Sequence, residues 1–148
     1  MDTLDRKILN MLQTDFPVEA EPFKTVAARI GVSESEVLER VRKMKKDGII
    51  RRIGAVFDSK KLGYASTLCA ARVPESRKRD FVETVNACPG VTHNYQRSND
   101  YNIWFTLTAP SEEELERTIK EIRRLTGVDD ILSMPAVRTF KINASFEV

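Results

Sequence analysis

At 148 residues the chain is long enough for one domain or two small ones, and its apolar and charged fractions, 41% and 31%, are those of a folded protein, not a disordered one. A formal net charge of +2, from 24 basic and 22 acidic side chains, excludes a protein that holds nucleic acid by bulk charge alone. The opening "MDTLDRKILNML" is charged and amphipathic, unlike a signal peptide, and no apolar run approaches a membrane span. A cytoplasmic protein with no membrane partner is expected, its two cysteines reduced and without metal-ligand spacing.

The first half predicts three short helices. "DTLDRKILNMLQ" sets Leu4, Ile8 and Leu12 at helical spacing, with Leu9 and Met11 beside them and Asp2 or Thr3 available as N-cap. "FKTVAARIG" aligns Phe23, Val26, Ala27 and Ile30 and stops at Gly31. Ser33 and Glu36 form an S-x-x-E capping box that opens a third helix, with Leu38 and Val41 inward and Gly48 at its end. The tight "GVS" connection makes this a helix-turn-helix pattern over 1–50. "IIRRIGAVFD" has a strand-like composition and predicts a linker strand over 51–62.

From 63 to 148 the order is strand ("YASTLCAARV"), helix ("SRKRDFVETVNA"), strand ("GVTHNYQR"), strand ("DYNIWFTLTA"), helix ("SEEELERTIKEIRRL") and strand ("VDDILSMPAVRTFKI"). Ser111 and Glu114 repeat the capping box, and Leu115, Ile119, Ile122 and Leu125 form an inward row. In the last strand Phe140 and Ile142 are expected inward. Cys69 reads as a small core residue and Cys88, before Pro89 and Gly90, as a turn. The fold class is α+β: a helix-turn-helix domain followed by a ferredoxin-like β-α-β-β-α-β domain with both helices on one sheet face, the other left open for a ligand or partner.

The third strand is badly patterned for a core. Period two puts His93, Tyr95 and Arg97 on one face and Thr92, Asn94 and Gln96 on the other, so neither face is apolar. In the next strand Tyr101, Ile103, Phe105 and Leu107 share one face, and Asn102, Trp104 and Thr106 the other. A lone strand histidine is more often a surface or satisfied core residue, and Trp104 and Phe105 most often pack a core.

"LDRKILNMLQTD", "VAARIGVSESEVLERVRKMKKDGIIRRIGAVFD" and "YNIWFTLTAPSEEELERTIKEI" resemble the Lrp/AsnC regulators over nearly the whole chain. Glu34 and Glu36 depart from that family by placing carboxylates where a recognition helix meets DNA. Arg40, Arg42, Lys43, Lys45 and Lys46 serve either a phosphate backbone or a solvated helix face. "THNYQRSNDYNIWF", with "RRIGAVFD" and "MPAVRTFKI", more closely resembles the siroheme decarboxylase subunits, an enzyme branch of the same scaffold, through its HNYxR and YNxWF signatures.

That resemblance implies removal of CO2 from the C12 and C18 acetate groups of siroheme by a heterodimer of this chain and a homologous second subunit, without DNA. The alternative is a DNA-binding regulator responsive to haem or a precursor. Siroheme presents carboxylates around a flat apolar macrocycle, which calls for cations at the rim and apolar surface against the faces. His93 is the leading proton donor, with an axial iron ligand as its other reading, and Tyr95 orients it or donates instead. Arg97 grips a carboxylate, with Arg51, Arg52, Arg138 and Lys141 as further cations and Trp104 bordering the macrocycle or a subunit interface. No cofactor and no structural metal are expected, since the iron enters with the substrate.

Overall fold

A computed structural model of the chain describes residues 1–143 and 145–148. They form two compact units, Met1–Ala55 with Lys141–Val148, and Val56–Phe140.

The first unit is built on α1 (Thr3–Thr14), α2 (Pro22–Ile30) and α3 (Glu34–Lys46). Asp2 and Asp5 form a reciprocal capping box at the start of α1, each carboxylate accepting the other's backbone N–H at 2.9 Å. Gly31 ends α2 in the left-handed region at φ 86°, where a side chain would be strained. Ile8, Leu9, Val26, Ala27, Val37, Val41, Met44 and Ile50 make the core. On α3 the inward stripe is Val37, Val41 and Met44, spaced by four and three residues, whereas Leu38, expected inward, is half-buried. Ser33 Oγ accepts the Glu36 N–H, but the Glu36 carboxylate turns to Arg40 instead of closing the box. The tail joins this unit: Gln13 exchanges two hydrogen bonds with the Phe146 backbone, and the Val148 N–H donates to Asn10 Oδ1 at 3.1 Å.

Arg40 is held by three carboxylates, at 2.7 Å from Asp2, 2.9 Å from Asp5 and 3.1 Å from Glu36, and ties α3 to the start of α1. Backbone N–H donation at the capping box, followed by the Arg40 guanidinium, holds both aspartates below their ordinary value of 3.8. Carboxylates so depressed contribute stability that is present above the unfolded pKa and is lost as pH falls through the folded one. Chemical denaturation of the wild type is therefore expected to show falling stability below about pH 4. Arg40→Ala should be less stable at neutral pH and lose less on acidification. Parallel acid slopes for the two proteins would contradict this.

The second unit is a four-stranded antiparallel sheet in the order β2-β3-β1-β4, the ferredoxin-like arrangement expected. Its strands are β1 (Ala65–Ala71), β2 (Val91–Gln96), β3 (Ile103–Ala109) and β4 (Ile131–Pro135), with helices α4 (Lys78–Ala87) and α5 (Glu112–Thr126) between them. Alternation along β3 sends Ile103, Phe105 and Leu107 into a core with Cys69 and Ala71 of β1, Phe81 and Val85 of α4, and Leu115, Ile119 and Ile122 of α5. Burial pushes the Cys69 thiol up to about 12, as an inert core residue requires. Both helices cover this face, which leaves Leu68, Trp104, Thr106, Leu132 and Met134 on the other.

Three further expectations change. Leu125 is 58% exposed, because the last turn of α5 runs past the sheet-facing stripe. The strand-like segment after Ile50 is irregular: it has no ladder partner among the described residues, and Ile53, Val56 and Phe57 are exposed. β4 stops at Pro135, paired with Thr67, since proline has no N–H to continue the ladder. Phe140 and Ile142 beyond it are 85% and 87% exposed.

Candidate functional site

The site is made by the β2–β3 hairpin. β2 is an edge strand, so it has less apolar surface to hide than its neighbours, and its residues are mostly exposed. Gly90 precedes it, at a place where a Cβ would stand 2.2 Å from the Thr108 carbonyl oxygen, a closeness that only glycine permits. Val91 pairs with Leu107, but His93 pairs with Thr106, so one residue of β2 is extra. That residue is Thr92, and the bulge brings it to the side of His93 instead of the opposite face that strict alternation predicts. Beyond it alternation resumes. Asn94 lies opposite buried Phe105 and donates to Asn86 Oδ1 of α4 at 2.9 Å, while Tyr95 lies opposite Trp104 on the open face.

His93, Tyr95, Arg97 and Trp104 together line an open groove of about 470 Å³, shared with Leu68, Ser98, Asn99, Phe105 and Thr106. The size is that of a small-molecule site. The His93 and Tyr95 rings stack with centroids 6.0 Å apart at 27°. Nδ1 of His93 lies 3.0 Å from Thr92 Oγ1 and 3.4 Å from Thr106 Oγ1, and the two hydroxyls are 2.7 Å apart. Among the described residues Nε2 has no hydrogen-bond partner, and the Arg97 guanidinium enters no ion pair. Among the described residues no carboxylate lines the groove, so an anionic ligand meets one fixed cation, an imidazole and an apolar floor.

The hairpin loop is braced from behind by residues the sequence reading assigned no role. Asn102 accepts from the Val73 N–H at 2.9 Å and donates to the Val73 carbonyl at 2.8 Å, extending the sheet with a side chain. Its backbone carbonyl accepts the Arg97 backbone N–H at 2.8 Å and closes the hairpin there. The Trp104 indole donates to the Tyr101 carbonyl at 2.6 Å, and Tyr101 donates to Asp130 at 2.9 Å while Arg72 lies over its ring. The Y-N-x-W spacing was visible in the sequence, but its bonding partners at Val73 and Asp130 are far along the chain. The remaining cations are placed otherwise. Arg51 and Lys141 are exposed in the first unit, Arg52 donates to the Ala55 carbonyl at 2.8 Å, and Arg138 lies 5.0 Å over the Phe140 ring. None of the four lines the groove.

Among the described residues, no group of three or more histidine, cysteine, aspartate or glutamate side chains is placed to hold a metal ion. Among the same residues no helix is long and apolar enough to cross a membrane.

A family model for the siroheme decarboxylase NirDL-like HTH domain matches residues 5–51, and one for the AsnC-like ligand binding domain matches residues 61–141. Over 148 residues the chain is 51% identical to the siroheme decarboxylase alpha subunit of Desulfovibrio desulfuricans, covering 100% of this chain and 85% of that one. The solved siroheme decarboxylase NirDL in co-complex with an iron-uroporphyrin III analogue is similar with a TM-score of 0.70 and 38% identity, over 94% of this chain and 47% of that one. The chain thus spans about half the length of that solved protein. AsnC of E. coli, at 23% identity and a TM-score of 0.80 over 98% of this chain and 97% of its own, shares the fold.

Proposed function

Because the chain belongs to the siroheme decarboxylase family, we propose that it is one subunit of a decarboxylase that converts the C12 and C18 acetate groups of siroheme to methyls, giving 12,18-didecarboxysiroheme. The observation that carries this is the groove: His93 and Tyr95 on the open face of β2, Arg97 just past its end and Trp104 beside them, with no carboxylate among the lining residues described. Each acetate loses its carboxyl–methylene bond, CO2 leaves, and the electron pair stays on the methylene carbon, where the conjugated ring takes part of the charge. His93 then delivers a proton to that carbon and recovers one from solvent. Histidine suits the task because it changes charge near neutral pH. Arg97 binds a substrate carboxylate through paired hydrogen bonds, and Tyr95 keeps the imidazole oriented through the stacked contact. The reaction draws on no separate cofactor, and the iron arrives with the substrate.

In this reading Trp104 borders the macrocycle. The partner is a homologous second subunit, as the naming of the relatives by subunit supports. The helix-turn-helix does not read DNA. Glu34 and Glu36 place acidic side chains in the first turn of α3, and Arg40 is already committed to three carboxylates.

Anaerobic incubation of the purified chain with siroheme, alone and with its homologous partner, tests this by mass spectrometry of the tetrapyrrole. Loss of two carboxyl groups is expected with the partner present. An unchanged mass in both samples, with both chains folded, would overturn the decarboxylase reading and make salt-dependent operator binding the next measurement.

A further inference from the structure

We propose that Thr92 and Thr106 are positioning residues for His93, holding the imidazole through Nδ1 so that Nε2 is the nitrogen that trades a proton in the groove. This rests on the reading of His93 as proton donor. The β-bulge is what makes it possible, because the extra residue in β2 puts two successive side chains, Thr92 and His93, on the open face beside Thr106 of β3. A regular strand would have turned Thr92 toward the helices.

The three polar atoms form a chain, Thr106 Oγ1 to Thr92 Oγ1 at 2.7 Å and Thr92 Oγ1 to Nδ1 at 3.0 Å. A hydroxyl both donates and accepts, so this chain can run in either direction. With the imidazolium, Nδ1–H donates to Thr92 and Thr92 donates to Thr106. When Nε2 has given up its proton, the neutral ring is the Nδ1–H tautomer, and Nδ1–H still donates to Thr92. Nδ1–H therefore stays on the same acceptor, and the ring keeps one orientation, through a cycle in which Nε2 loses its proton to the substrate carbon and regains one from solvent. Threonine is suited to the task because branching at Cβ restricts its χ1 and holds each hydroxyl in place. Stacking on Tyr95 opposes a ring flip that would exchange the two nitrogens.

The chain contains a single histidine, so its ring nitrogens can be followed alone by 15N NMR. Wild type, Thr92→Val, Thr106→Val and the conservative Thr92→Ser are compared in the two-subunit enzyme with siroheme. Partners that orient metal-bound histidines are typically worth 10–100-fold, and by analogy Thr92→Val is expected to lower kcat about tenfold with KM little changed. It should also shift the Nδ1 resonance and the pH profile of kcat, Thr106→Val should do the same to a smaller extent, and Thr92→Ser should restore all three. An Nδ1 resonance and pH profile identical in wild type and both valine variants would overturn the positioning role, whatever the activity. If His93→Ala leaves turnover intact while the valine variants still shift Nδ1, the proton-donor reading fails and the hydroxyl chain stands as the ring's anchor.

Discussion

His93→Ala is expected to lower turnover of siroheme by roughly 100-fold or more, the usual contribution of a positioned general acid, while the substrate still binds. The ring is exposed and stands on an edge strand, so its loss opens no core cavity and the variant should fold as the wild type does. Arg97→Ala should fail differently. Its guanidinium is assigned to a carboxylate that is charged before and after the first CO2 leaves, so removing it weakens binding and raises KM. A hydrogen bond to a charged group contributes about 1.5–3 kcal/mol, which is roughly a 10- to 100-fold change in affinity. Steady-state kinetics and siroheme titration on both variants distinguish the roles. Matching kinetic constants in wild type and both variants would refute them, and a His93→Ala defect confined to KM would make the imidazole a binding group.

Phe81→Ala is expected to have the largest effect on stability. Phe81 is fully buried on α4 and meets Phe105 edge-on, with centroids 6.2 Å apart at 62°. Removing a buried phenyl ring costs about 3–5 kcal/mol in lost transfer energy and residual cavity. Against a typical total of about 5–15 kcal/mol this is a large share. Urea unfolding should show the midpoint falling with little change in slope. The consequence reaches the groove, because Phe105 anchors the strand whose alternate residues, Trp104 and Thr106, face it. A midpoint within error of wild type would mean that α4 repacks and that Phe81 is not what holds it to the sheet.

Much of the architecture was legible from spacing alone. Helical periodicity marked Ile8, Val26 and Val41, Ser33 and Ser111 announced two helix starts, and strict alternation in β3 placed Phe105 inward and Trp104 outward. These are local signals, since a helix turn or a pleat fixes which side chains share a face within a few residues. The same alternation put His93 and Tyr95 on one side of β2, where the groove lies, and Arg97, expected on that strand face, lines the groove from just past the strand's end.

What spacing left open was set by pairing between distant segments. Thr92 joins His93 because β2 carries one more residue than β3 between paired positions, a count that exists only once the strands are in register. Asn102 braces the hairpin because its amide meets the Val73 backbone, and Tyr101 because Asp130 is brought beside it. Proline at 135 ends the last strand, leaving Phe140 and Ile142 exposed where apolar composition alone pointed inward. The sequence by itself therefore determined the order of the helices and of the four sheet strands, and the inward face of most of them. Only the tertiary structure decided which hydroxyls meet the imidazole and which side-chain amide braces the hairpin, because a hydrogen bond between residues far apart in the chain has no period to betray it.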